Sequence, residues 1–198
     1  MNELVEYKTL ADQGDPLYQF QLALCYYYGV GTKQDYFEAF KWFEKSAEQS
    51  LVQAQNNLGD CYYKGLGCPK NYKKAYTWYK MAARQGNATA QYNLGNLYTK
   101  GKGIEKNYIK AAKWYKKAAN QGDTDAQCYL GNCYWLGRGI FKSPVLAYYW
   151  LSISYYNDGN HKAKELLDAF EPEMTFGQIQ DAQQRVTNWH KALESNKS

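Results

Sequence analysis

The chain has 198 residues, 45% of them hydrophobic, and a net charge of +5. That is enough for one or two ordinary domains with a real core. No apolar run approaches the roughly 20 residues that a membrane-spanning helix needs. The start, MNELVEYKTLADQG, has no basic segment followed by an apolar one, so no signal peptide is visible and a cytoplasmic location is expected, or a periplasmic one if a leader was removed before Met1.

Residues 1–13 read as an opening, N-terminal capping helix at about 2–13. Tyr7 and Ala11 stand 36 residues before Phe43 and Ala47, so this segment looks like the second half of a repeating unit. The unit itself begins at Gly14, Ser50, Gly86 and Gly122, and its tryptophan falls at Trp42, Trp78, Trp114 and Trp150. A period of this length means stacked helical hairpins rather than one closed core. Repeats are therefore expected at 14–49, 50–85, 86–121 and 122–158, with capping helices at 159–198, all in one continuous domain.

Within each repeat a first helix, A, runs from just after the unit's first residue to a Gly-x-Gly turn, at Gly29/Gly31, Gly65/Gly67, Gly101/Gly103 and Gly137/Gly139. Glycine at both positions suits positive φ and a tight exit. A second helix, B, starts after Asp35, Asn71, Asn107 or Ser143, all good N-caps, and Pro144 suits the first position of the last one. These helices should end near Gln49, Gln85, Gln121 and Asn157. Small residues recur where helices must approach closely, as at Ala54, Ala90 and Ala126, Gly59, Gly95 and Gly131, and Ala39, Ala75, Ala111 and Ala147. Leu22, Leu58, Leu94 and Leu130, with Tyr26, Tyr62, Tyr98 and Tyr134, complete an apolar face at helical spacing.

The run Ala90–Leu94–Gly95–Tyr98–Gly101–Gly103, followed by Ala111–Trp114–Tyr115–Ala118–Ala119–Gly122, resembles the Sel-1-like repeat family, relatives of the tetratricopeptide repeat. The resemblance covers about residues 14–157. Repeat one departs at Tyr18 and Ala23, and repeat four at Leu151, Ser154 and Tyr155, as terminal repeats do. It implies an all-α fold, a right-handed α-α superhelix of four helix-turn-helix repeats with N- and C-terminal capping helices, in a bacterial protein. It also implies that the A helices line the concave side.

Beyond Asn157 the period breaks. His161–Phe170 reads as a further A-type helix. Thr175 and Gln178 form a capping box, with Met174 and Ile179 as a hydrophobic staple, before a last helix at about 176–194. Ile179, Ala182, Val186, Trp189 and Leu193 share one side of it. Val145, Leu146, Tyr149, Ile153 and Tyr156 make an outward face on the fourth B helix too apolar for water. Residues 160–194 are expected to fold back over it.

On the A helices, spacing turns Phe20, Leu24 and Tyr27 away from the apolar face, and in later copies Asn56, Asp60 and Tyr63, then Tyr92, Asn96 and Thr99, then Cys128, Asn132 and Trp135. With Asn57, Asn93 and Tyr129 at its border, the concave side is expected to be a trough of rings, amides and a carboxylate. Such groups pair with peptide backbone and anchor side chains. Tyr27, Asn56, Asp60, Tyr63, Tyr92, Asn93, Asn96, Thr99, Tyr129, Asn132 and Trp135 are thus the candidate partner-binding residues.

The charge is unevenly spread. Residues 64–117 hold 13 basic side chains and one acidic, while 1–63 hold 4 and 9, and 118–198 hold 7 and 9. Lys73, Lys74, Lys80, Lys110, Lys113, Lys116 and Lys117 form a basic ridge on the convex B helices. Such a ridge can attract nucleic acid or acidic surfaces, but no aromatic interleaving is read on it, so it is taken as a solvated face and no nucleic acid is expected.

Catalytic chemistry finds no foothold. Only His161 and His190 are present, without ligand-spaced cysteines or carboxylates, and no phosphate-binding glycine loop occurs. The five cysteines include no CxxC pair, and Cys25, Cys61 and Cys133 repeat one position, roughly 10 Å apart in such a stack and beyond disulfide reach. Free thiols, no cofactor and no metal are expected. The reading is a non-catalytic, monomeric adaptor that takes a segment of another protein in its trough. The family also suggests an immunity-type protein that neutralises a secreted toxin and, remotely, a cell-wall or lactam hydrolase.

Overall fold

The computed structural model describes residues 3–195. Among them the fold is all-α, with eleven α-helices, one 3-10 turn and no strand. They fall into two compact units, residues 1–106 and 107–198.

The first unit holds α1 (Glu3–Asp12), α2 (Pro16–Tyr28), α3 (Tyr36–Glu48), α4 (Val52–Lys64), α5 (Tyr72–Arg84) and α6 (Ala88–Lys100). The second holds α7 (Tyr108–Asn120), α8 (Thr124–Leu136), α9 (Pro144–Asp158), α10 (His161–Phe170), a turn at Glu171–Glu173 and α11 (Phe176–Ser195). Residue 2, expected in the opening helix, and residues 196–198, expected in the cap, lie outside the described residues.

The B helices start where the caps were expected. Asp35, Asn71, Asn107 and Ser143 each accept a backbone N–H from the first turn, from Glu38, Lys74, Lys110 and Leu146 respectively. Three A helices are capped in the same way by Asp15, Asn87 and Asp123, while Leu51 at the start of α4 supplies no side-chain bond. The fourth B helix runs one residue past Asn157, to Asp158, because Gly159 at φ 71° provides a left-handed cap.

Two glycine contacts set helix spacing. A Cβ on Gly59 would lie 2.6 Å from the Tyr79 ring, so the α4–α5 hairpin closes only over a bare backbone. A Cβ on Gly67 would lie 1.9 Å from the carbonyl oxygen of Tyr36, where the turn of one repeat sits on the first residue of the preceding B helix. In repeat one Ala23 replaces the first of these glycines and is fully buried.

Between repeats runs a set of buried amides that the periodic reading passed over. Gln19, Gln55, Gln91 and Gln127 are each almost fully buried. Their Nε2 groups donate to the carbonyls of Ala11, Ala47, Ala83 and Ala119, in the last turns of α1, α3, α5 and α7. On the other side, Gln49 donates to Gln19 Oε1, Gln85 to Gln55 Oε1 and Asn157 to Gln127 Oε1. Each of these carbonyls, beyond the reach of its helix's own ladder, also accepts a backbone N–H from the turn that follows, from Gly14, Ser50, Gly86 and Gly122, so the glutamine supplies a second bond from the next A helix. Among the described residues no buried side-chain nitrogen or oxygen lacks a partner.

In the second unit the helices after Asp158 close the end of the array. Cys128, Leu151, Ala163 and Leu167 form a buried cluster, with Tyr148, Tyr155, Leu166 and Phe170 packed against it. α11 packs along α9, and its Thr175–Gln178 capping box forms in both directions. Its Ala182 and Val186 are buried, as is Met174 just before its start; Leu193, expected on the same side, lies outside the described side chains. Ile153 is covered, whereas Tyr156 stays 62% exposed with its ring edge against His190.

The five cysteines are free. Burial pushes the Cys61 thiol up to about 12 and those of Cys128 and Cys133 to about 11, so they stay protonated and packed as small apolar groups.

A chain ending at Asp158 should lose the burial of at least four apolar side chains, worth about 6 kcal/mol or more. We expect it to bind a hydrophobic dye and to aggregate in sedimentation velocity. A soluble monomer with an unchanged thermal midpoint would refute the capping role of α10 and α11.

Candidate functional site

In the first unit the A helices α2, α4 and α6 present Tyr27, Asp60, Tyr63, Tyr92, Asn93, Asn96 and Thr99 as half-buried side chains. Asn93 on α6 reaches back to α4, donating to Asn56 Oδ1 at 3.3 Å and to Asp60 Oδ1 at 3.4 Å. Asn56 in turn donates to Asn57. Asn56 is 7% exposed, so it belongs to the wall beneath the face and not to its accessible surface. The expected row of open amides is narrowed there, because neighbouring A helices lie close enough for the amides to satisfy one another.

Asp60 is the acidic centre of this face. The Tyr79 hydroxyl, from α5 behind it, donates to Asp60 Oδ1 at 2.5 Å. Burial raises the Asp60 carboxyl above its ordinary range, and the Tyr79 bond and the charge of Lys64 only partly oppose this. Burial and the Asp60 charge together keep the Tyr79 hydroxyl protonated. Burial also raises the Tyr27 hydroxyl on α2, with smaller contributions from Cys61 and Asp60.

Aromatic rings border the carboxylate. Tyr27 meets Tyr36 edge-on at 5.3 Å, and Tyr63 meets Tyr72 at 5.3 Å. Lys102 donates to the Tyr63 hydroxyl at 3.1 Å and lies over the Tyr63 and Tyr72 rings at 4.8 and 4.9 Å. Thr99 turns its hydroxyl to the Gly95 carbonyl of its own helix.

The second unit places its three candidates differently. Tyr129 stacks on Tyr115 at 5.4 Å, and Lys162 of α10 donates to its hydroxyl. Asn132 is half-buried. Trp135 is 8% exposed, its ring parallel to Phe170 at 4.1 Å and 3°. The expectation that Cys128 and Trp135 face open space is corrected: α10 occupies that side of α8 and draws both into the core. The signal was present in the apolar stripe of His161–Phe170.

Of the basic ridge, Lys73, Lys74, Lys110, Lys113, Lys116 and Lys117 are exposed and Lys80 half-buried. Lys74 lies over the Tyr62 ring, Lys80 over Tyr76 and Lys117 over Trp114. Their alkyl stems can cover these rings while the ammonium groups meet water. Among the described residues no helix is long and apolar enough to cross a membrane.

The family model described as Sel1 repeat matches residues 16–51, 52–87, 88–123 and 124–158. A comparison with curated proteins returns no match. Among solved structures, a Sel1 repeat protein from Oxalobacter formigenes is 36% identical with a TM-score of 0.76, over 81% of this chain and 64% of that one. A protective antigen with an SLR fold, present in uropathogenic Escherichia coli strains, is 30% identical with a TM-score of 0.60, over 95% of this chain and 48% of its own. The chain therefore spans less than two thirds of either relative. An immunity protein from Pseudomonas aeruginosa, 22% identical with a TM-score of 0.53 over 80% of this chain and 59% of that one, shares the fold.

Asp60 gives this face a testable electrostatic signature. A carboxyl raised by burial favours the folded state while protonated, so its contribution is full at low pH and is lost as pH rises through the raised value. Asp60→Asn keeps an acceptor for Tyr79 and removes the charge. We expect it to raise the melting temperature at pH 7, by about 2–4 °C per kcal/mol recovered, with the difference vanishing below about pH 4. A variant less stable than the parent at pH 7 would contradict this.

Proposed function

The chain belongs to the Sel1 repeat family, and on that premise we propose that it is a non-catalytic scaffold that binds a segment of another protein on the face of α2, α4 and α6. The observation that carries this reading is Asp60. Its carboxylate is held among neutral donors, Tyr79 and Asn93, at a cost in desolvation. A guanidinium or ammonium group from a partner would complete it, because a desolvated charge gains most from an opposite charge brought into contact. Tyr27, Tyr63 and Tyr92 supply ring surface for anchors, and Asn93 and Asn96 supply amides that can meet a peptide backbone. The partner segment is thus one with an arginine or lysine between apolar side chains.

The described titratable groups of the second unit are dispersed. His161 begins α10, and His190 lies against the rings of Trp189 and Tyr156. Among the described residues no three His, Cys, Asp or Glu side chains gather at metal-binding distance. Aromatic rings do stand beside the lysines of the B helices, contrary to the expectation from the sequence, but Lys74, Lys80 and Lys117 lie over Tyr62, Tyr76 and Trp114, and a ring covered by a lysine offers no open face on which a base can stack. An immunity role would be the same mode of binding with a toxin as partner; the fold shared with the Pseudomonas aeruginosa immunity protein carries no more than the fold.

Selection of a displayed peptide library on the full chain tests this. Enriched sequences should share one basic position, and the best of them, as a synthetic peptide, should bind at least about tenfold more weakly to Asp60→Asn, a loss of about 1.4 kcal/mol. Peptides that bind both proteins equally, or that carry no common basic residue, would overturn the reading.

A further inference from the structure

The tryptophans of the B helices do not all have the same surroundings. Lys45 stands over the Trp42 ring at 3.9 Å, and Lys117 over Trp114 at 4.6 Å. In both cases the covering lysine is three residues on. The residue three on from Trp150 is Ile153, 1% exposed, so its own helix puts no cation over this ring. Trp150 instead opens on a cavity of about 640 Å³ inside the second unit. That is the size of sites that hold small organic molecules.

The walls of this cavity are aromatic. Trp189 from α11 faces it, and Tyr149 meets Trp150 edge-on at 5.2 Å. Polar groups stand at its rim. The Asn157 Nδ2 is spent on Gln127, while its Oδ1 has no partner among the described residues. The Asn120 amide, at the exposed end of α7, likewise has no protein partner there. None of the described residues that line the cavity carries a charge. Tyr149 and Trp189 are shared with an adjoining cavity of about 430 Å³, so ring surface continues beyond the first chamber.

We propose that this cavity is a binding site for a neutral oligosaccharide of two or three rings. The C–H faces of a pyranose ring match flat indole walls, which are apolar yet electron-rich. Its hydroxyl groups match amides that both donate and accept. A fully apolar ligand would leave the Asn120 and Asn157 amides desolvated without partners, and an anionic one would find no cation in the first chamber and, in the adjoining one, only Arg185, already paired with Asp181. The site belongs to the fourth repeat because it needs α11 to bring Trp189 across; the second repeat also lacks the lysine, with Met81 three residues after Trp78.

The test is titration of the full chain with cellobiose, maltose and di-N-acetylchitobiose, read by tryptophan emission and by calorimetry. At least one should saturate with a Kd below about 1 mM. Trp189→Ala should weaken that binding at least tenfold. Because this change also removes a contact of α11, Asn120→Ala serves as a second variant, expected to weaken binding several-fold with an unchanged melting temperature. No saturable binding of any of the three up to about 10 mM, or binding indifferent to both substitutions, would overturn the proposal.

Discussion

A side-chain amide placed between two helices is the interaction on which the rest of this molecule depends. Each B helix ends with carbonyls that its own hydrogen-bond ladder cannot reach, and the next A helix must pack directly over them. A turn N–H pairs with one such carbonyl, as that of Ser50 does with Ala47, and its second lone pair, buried from water, is open to a donor from the protein. Gln55, through Nε2 to Ala47 and Oε1 from Gln85, fills that need and ties three helices at one point. The same residue type performs the same bond at Gln19, Gln91 and Gln127. Only with that junction satisfied can the alanines and glycines beside it bring the helices to close range, where the Gly59 backbone touches the Tyr79 ring.

The regular parts of the repeat leave little room for chemistry, and function is concentrated where copies differ. The position that is Leu24 in the first repeat is Asp60 in the second, Asn96 in the third and Asn132 in the fourth. One substitution in the series turns a packed face into one with a desolvated carboxylate. In the fourth repeat the change is of another kind. Trp135 and Cys128 become seats for α10, and the outward face of α9 becomes the seat of α11. The C-terminal helices therefore complete a core and, by leaving space beside Trp150, shape a cavity.

Much of the architecture was legible in the sequence because it rests on local rules. Asp35, Asn71, Asn107 and Ser143 cap helices for reasons contained within four residues, and the Thr175–Gln178 box does the same. The helix His161–Phe170 was readable from its own pattern, but its placement was not. Spacing alone put Trp135 on an open face, since a helical period describes one helix and says nothing of a later one laid against it. Asn56 was misplaced for a similar reason, as its burial depends on Asn93 of the next repeat. The glutamines were visible at a spacing of 36 residues, yet polar residues on a helix read as solvent-facing until the carbonyl they satisfy is seen. The proposed partner face was legible in residue types, whereas the raised carboxyl of Asp60 follows from its burial between helices, which spacing along one helix does not show.

The central claim, that buried amides join successive repeats, is tested most directly by urea unfolding of Gln55→Met beside Gln53→Met, one buried and the other exposed on the same helix. The buried substitution keeps the shape of the side chain and removes two hydrogen bonds, one to the Ala47 carbonyl, which keeps the Ser50 N–H, and one from the exposed Gln85 amide. It should cost about 1–3 kcal/mol, while the exposed one should change stability by less than about 0.5 kcal/mol. Equal stability of the two variants would contradict the account.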